Sequence, residues 1–144
     1  MEYLNIAVAK GRLAKEAYKL FEKLDINCRD TENKSRKLVY SDDKSKVRFI
    51  SVKAVDVPIY IERGSADIGL VGKDTIMEED RDLYEVADLK FGKCKFAIAG
   101  YEGTDIKQKL PRLRVASKYP KVTNDYFSSR GIEVDVIKLN GSVE

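Results

Sequence analysis

The chain has 144 residues, 43% hydrophobic and 35% charged, which supplies a core and excludes a disordered segment. Its 27 basic and 24 acidic residues leave a net charge of +3 with no basic run, which argues against a nucleic-acid binder. It contains no histidine, so His-based acid–base chemistry, Ser-His and Cys-His nucleophile pairs and His-ligated metals are excluded.

Leu4 to Ala9, bounded by Gly11, predicts a short buried strand. Leu13, Ala17, Leu20, Phe21 and Leu24 recur at helical spacing and predict a helix from Arg12 or Leu13 to about Asp25. Arg29 to Ser35 is polar and reads as loop. Lys37 to Tyr40 and Val47 to Val52 predict strands, and the charged turn Ser41 to Lys46 between them suggests a hairpin. Val55 to Glu62 predicts a helix with Pro58 in its first turn, where proline is tolerated, and Gly64 as its stop. Asp67 to Val71 reads as a short apolar strand. Gly72-Lys73-Asp74 opens a helix through Glu79, with Asp74 expected as its cap.

Tyr84 to Leu89 and Lys95 to Ala99 predict two more strands with Gly92 between them, and Gly100 to Pro111 is a polar connector. A βαβ unit follows: strand Arg114 to Ala116, helix Val122 to Ser129, Gly131 as a stop, strand Val134 to Leu139. Tyr60, Tyr84, Phe91, Phe96, Tyr119, Tyr126 and Phe127 are expected to pack in the core. Apolar strands alternating with helices predict an α/β fold whose sheet is covered on both faces.

Cys28 and Cys94 lie far apart, without metal or redox spacing, and read as reduced thiols of a cytosolic protein. The start of the chain reaches charged Lys10 too soon for a signal peptide. No apolar run approaches the roughly 20 residues that span a bilayer.

Chemistry is expected at strand ends. Lys10, Gly11 and Arg12 stand at the carboxyl end of the first strand and the start of a helix, the edge where open α/β sheets take ligands and where helix amides favour anions. Arg36 and Lys37 precede the second strand, and Lys53 follows the third. Each of these segments alone also reads as a solvated turn or loop. Together, cations at several strand ends suit a polyphosphate. Gly72 follows another strand and allows a ligand close to the backbone. Neither a Walker A loop nor a GxGxxG fingerprint is present.

Several segments match one family in order: AVAKGRL, SRKLVY, DVPIYIERGSADIGLVGKD, FGKCKFAIAG, RVASKYPKVTNDYF and IKLNGSVE. On them the chain resembles ATP phosphoribosyltransferase, and its short form more than its long form. The resemblance implies a periplasmic-binding-protein type II architecture, two α/β lobes around a cleft, with residues 1–91 as the first lobe and 92–144 as the start of the second. It implies condensation of ATP with phosphoribosyl pyrophosphate, with Mg²⁺ present, giving phosphoribosyl-ATP and pyrophosphate in the first step of histidine biosynthesis. Arg12 and Arg36 match arginines that contact substrate phosphates and the departing pyrophosphate. Lys10, Lys37 and Lys53 match neighbouring cations. The resemblance also implies a homo-oligomer, or a hetero-oligomer with a regulatory subunit resembling histidyl-tRNA synthetase.

Family members continue past LNGSVE into a glycine- and threonine-rich turn that grips the ribose 5-phosphate. The chain is therefore expected to be a portion that stops before this loop, with its second lobe incomplete and its own activity open. Lys90 stands before Phe91-Gly92 where some members carry an acid. Two other readings are a non-catalytic small-anion-binding module of the same architecture and a structural subunit of a larger assembly. Ligand response separates them: nucleotides for the enzyme, other small anions for the module, none for the structural subunit.

Overall fold

The computed structural model describes residues 2–28, 37–104 and 113–141. The chain divides into two units, Met1–Lys93 and Cys94–Glu144. In the first, strand β1 (Leu4–Ala9) leads into helix α1 (Arg12–Glu22). Strands β2 (Val39–Asp42) and β3 (Val47–Val52) form the expected antiparallel hairpin. A 3-10 turn (Ala54–Asp56) runs directly into helix α2 (Val57–Glu62), and β4 (Ile68–Leu70) and α3 (Lys73–Glu79) follow. The sheet order is β2-β3-β1-β4, with β3 and β4 both parallel to β1.

The parity of β1 explains why its sequence is apolar nearly throughout. Ile6 and Val8 pack with Ala14, Ala17 and Tyr18 of α1 and with Val47 and Phe49 of β3. Ala7 and Ala9 point the other way, into a cluster with Val57 of α2 and Ala66. A strand buried on both faces loses the polar alternation of a half-exposed one. The two faces differ in side-chain size. On the α1 face Phe49 is fully buried and meets Phe21 and Tyr18 edge-on, with ring centroids 5.0 and 5.7 Å apart; each such pair adds about 0.5–1.5 kcal/mol beyond its buried area. On the α2 face small residues admit the helix. A Cβ on Gly69 would lie 2.7 Å from Val57 Cγ1 and 3.0 Å from Ile61 Cγ1.

Helix ends follow one pattern. After α2, Gly64 N donates to Ile61 O and Ser65 N to Tyr60 O, with Gly64 at φ 67. This is the Schellman pairing, whose left-handed residue is usually glycine. α1 ends the same way through Asp25, at φ 63: Asp25 N donates to Glu22 O and Ile26 N to Phe21 O. The helix therefore stops at Glu22, before the expected Asp25. Ile26 and Phe21 both pack against the α1-side core, supplying the apolar contact that accompanies this motif.

Three expectations fail. Tyr84 to Leu89 and Lys95 to Ala99 are not strands. An extended segment needs a neighbouring ladder, and among the described residues neither has one; Tyr84 and Val86 are 98% and 93% exposed. Left-handed Lys90 and Gly92 also interrupt this stretch. Asp74 is not the cap of α3. Gly72 occupies that position without a side-chain cap, and Asp74 lies in the first helical turn, its carboxylate folded over the Gly72 Cα. Of the expected core aromatics, Tyr84, Phe96 and Tyr126 are exposed.

In the second unit, β5 (Leu113–Ser117) and β6 (Val134–Lys138) pair in parallel and α4 (Pro120–Ser128) connects them. Phe127 is its buried anchor. α4 begins two residues before the expected Val122, because Pro120 fits the first turn of a helix. Beyond Ser128 its end is closed by Gly131, φ 67, through the same Schellman pairing. Among the described residues no helix is long and apolar enough to cross a membrane.

Candidate functional site

The parallel register brings the described ones among the expected site residues to one edge of the larger sheet. Ala9 pairs with Val52, so β1 and β3 end side by side, and Lys10 N donates to Val52 O at 2.9 Å. Lys10 and Lys53 thus leave the sheet together. The hairpin ladder continues to Leu38, whose carbonyl accepts from Ser51 N at 2.8 Å, which sets Lys37 at the same edge. There the Lys37 ammonium lies 5.8 Å from the centre of the Tyr40 ring. Val8 pairs with Leu70, so Gly72, two residues past β4, stands at this edge too. Arg36 lies outside the described residues.

Gly11 makes the turn from β1 into α1. Its φ of 109° and ψ of −149° belong to a region essentially reserved for glycine. A Cβ there would meet nothing within 4 Å, so the backbone geometry demands glycine while the space above it stays open. α1 starts immediately afterwards, with no side-chain cap on its amides and no acid in its first turn. Uncapped amides with no acid in their own helical turn favour an anion.

A depression of about 640 Å³ opens on this turn, lined by Lys10, Gly11, Arg12, Lys15, Tyr18 and Ser51 among others. The last three were missed in the sequence, although the signals exist. Lys15 and Tyr18 follow Arg12 at three-residue steps and share its side of the helix. Ser51 continues the Val47–Phe49 face of β3 and turns polar where that face reaches the sheet edge. Among the described residues no carboxylate pairs with Lys10, Arg12, Lys15 or Lys53. A surface with charges of both signs usually intersperses them, so four unpaired cations near one edge make a concentrated positive field. No cluster of three or more Cys, Asp or Glu that could hold a metal ion occurs among the described residues.

The opposite edge of the same sheet is built from carboxylates already engaged. Asp67 Oδ2 accepts from Asn5 N at 2.7 Å. Asp42 accepts from Ser45 Oγ at 2.6 Å and Asn27 N at 3.2 Å. These bonds, the Ser45 hydroxyl first, hold the Asp42 carboxyl below its ordinary range. Cys28 is buried beside Glu22 and Asp42, and burial chiefly pushes its thiol up to about 11, which leaves it protonated and inert at neutral pH.

A model of the family described as HisG: ATP phosphoribosyltransferase matches residues 53–144. The ATP phosphoribosyltransferase of Clostridium acetobutylicum is 48% identical over 141 residues, covering 98% of this chain and 66% of that protein. That of Clostridioides difficile is 48% identical over 145 residues, covering 100% of this chain and 69% of that protein. Among solved structures, the ATP phosphoribosyl transferase (HisG:HisZ) complex from Thermotoga maritima matches at a TM-score of 0.72 and 27% identity, over 97% of this chain and 66% of that one. The chain thus spans about two thirds of the length of these relatives. It shares their periplasmic-binding-protein type II-like α/β fold. By its sequence over nearly its whole length, and by its fold, the chain belongs to the ATP phosphoribosyltransferase family.

Proposed function

We propose that this chain carries the phosphate-binding face of an ATP phosphoribosyltransferase. The enzyme condenses ATP with phosphoribosyl pyrophosphate to phosphoribosyl-ATP and pyrophosphate, the first step of histidine biosynthesis. One observation supports this most: Lys10, Arg12 and Lys53 stand unpaired among the described residues, around a glycine turn that opens a helix. In this reading Arg12 and Arg36 hold substrate phosphate and the departing pyrophosphate. Lys10, Lys37 and Lys53 surround them with charge, Gly11 lets phosphate oxygens approach the backbone, and Gly72 stands at the same edge beneath the Asp74 carboxylate.

The chemistry suits a chain without histidine. Adenine N1 attacks the anomeric carbon of the ribose with its own lone pair. The bond from that carbon to the pyrophosphate oxygen breaks, and its electron pair leaves with pyrophosphate. Catalysis then consists mainly of stabilising that developing charge with fixed cations and amides. Mg²⁺ belongs to the same reading as the companion of the polyphosphates, whose oxygens ligate it. The described residues offer no cluster fit for a resident ion.

The reading takes residues 1–91 as the first lobe and 92–144 as the start of the second, and places the enzyme in the cytoplasm. It includes assembly as a homo-oligomer, or with a regulatory subunit resembling histidyl-tRNA synthetase. The solved relative being a two-protein complex favours the second arrangement.

Thermal unfolding with ATP, phosphoribosyl pyrophosphate and Mg²⁺ tests the proposal. A ligand at roughly 100 times its dissociation constant adds about 2.7 kcal/mol of apparent stability. Arg12→Ala should remove most of that gain while changing unliganded stability by no more than about 0.5 kcal/mol, because the side chain is exposed and unpaired. Stabilisation by simple anions but not by nucleotides would instead support a binding module.

A further inference from the structure

We infer that Leu13 is a positioning residue, an apolar latch that holds the Lys10–Gly11–Arg12 turn in place of the polar cap a helix normally carries. The inference rests on reading that turn as a phosphate site. Leu13 is the second residue of α1, next to Arg12. Each of its δ-methyls reaches a different glycine. A Cβ on Gly92 would lie 2.6 Å from Leu13 Cδ2, and one on Gly72 would lie 3.7 Å from Leu13 Cδ1. The Gly92 seat is the tighter, since that methyl occupies space any other residue would fill. Gly92 is also held at φ 66, and its neighbour Phe91 packs into the α1-side core, so the seat is anchored.

This arrangement resolves a conflict at the turn. A Ser, Asp or Asn cap would fix the start of α1, but it would consume the amides that an anion needs, and an acid would repel the anion. Here Gly11 provides no side chain, and Lys10 N ties the turn to the sheet by donating to Val52 O at 2.9 Å. An apolar contact one residue into the helix limits rotation of the first turn without occupying a donor. Arg12, its immediate neighbour, then leaves the helix in a defined direction.

The test uses hydrogen exchange at the amides of residues 11–13 and calorimetric titration with pyrophosphate, on the wild-type chain and on Leu13→Ala, Leu13→Met and Gly92→Ala. Leu13→Ala should speed exchange at this turn and raise the pyrophosphate dissociation constant about tenfold. Leu13→Met, which retains reach and volume, should stay within about twofold of wild type in both. Gly92→Ala, which evicts the Cδ2 methyl, should reproduce Leu13→Ala. If Leu13→Ala lowers the melting temperature yet leaves local exchange and affinity unchanged, Leu13 is only core filler and the inference is overturned. If the wild-type chain does not bind pyrophosphate, the phosphate reading itself fails and the positioning role falls with it. Wild-type binding that is insensitive to Leu13→Ala removes the latch alone.

Discussion

Two of the turns that lead from a strand into a helix are built in opposite ways. The turn between β5 and α4 closes on itself. Ser117 Oγ accepts from Tyr119 N at 3.0 Å, and Thr123 Oγ1 lies 2.9 Å from Ser117 Oγ and 2.7 Å from Tyr119 O. Pro120 then starts the helix with one amide donor fewer to satisfy. The turn between β1 and α1 has no such hydroxyls, a glycine in a strained region and cations that are unpaired among the described residues. The comparison teaches that a turn stabilised by its own polar side chains has little left for a ligand. An open turn must be held by backbone geometry and apolar packing.

Substitution can break this contrast. Gly11→Ala should be the most damaging change at either turn, costing about 1–3 kcal/mol in urea unfolding, because alanine cannot adopt the Gly11 backbone without strain. Since a Cβ there meets nothing, that loss should be backbone strain and not a clash. Ser117→Ala should cost about 1 kcal/mol, the net value of the hydrogen bonds it removes. If the two losses came out equal, or reversed, the contrast would be wrong.

The opposite edge of the larger sheet resembles the closed turn and sharpens the point through pH. Asp42 titrates below its ordinary value of 3.8 in the folded chain. The unfolded chain therefore binds the proton first, so the contribution of Asp42 is present above about pH 4 and lost as pH falls through the depressed folded value. Asp42→Asn should flatten the acid limb of a urea-midpoint-versus-pH curve. An unchanged limb would show that other carboxylates govern acid unfolding.

The smallest effect concerns α1's far end. Asp25 occupies the left-handed position that glycine fills after α2 and α4. Asp25→Gly should raise stability by about 0.5 kcal/mol, measured as a rise in melting temperature. The 3.8 Å ion pair to Lys44 that it removes is between exposed side chains and offsets little of this gain.

That position also marks where the sequence stops being legible. Gly64 and Gly131 announce their helix ends, because glycine is the usual occupant of a left-handed cap. An aspartate does so only when the fold imposes the conformation, so α1 stops three residues before the end its apolar spacing predicts. β1, β3 and the hairpin were readable from short-range apolar patterning and turn residues. Tyr84 to Leu89 carried the same patterning and failed, because a strand exists only with a partner, which is long-range information. The site was half readable. Charges at strand ends were visible in the sequence, but their gathering at one edge depends on the parallel register of β1 with β3 and β4. Lys15 and Ser51 needed that register and the helical phase together.

The most direct measurement is heteronuclear NMR of the chain titrated with pyrophosphate. The account predicts that the largest amide shifts fall at Gly11 to Leu13, with smaller ones near Val52 to Ala54, and that the β5–α4 turn stays still. Shifts centred on Ser117 to Pro120, or none at any concentration, would contradict it.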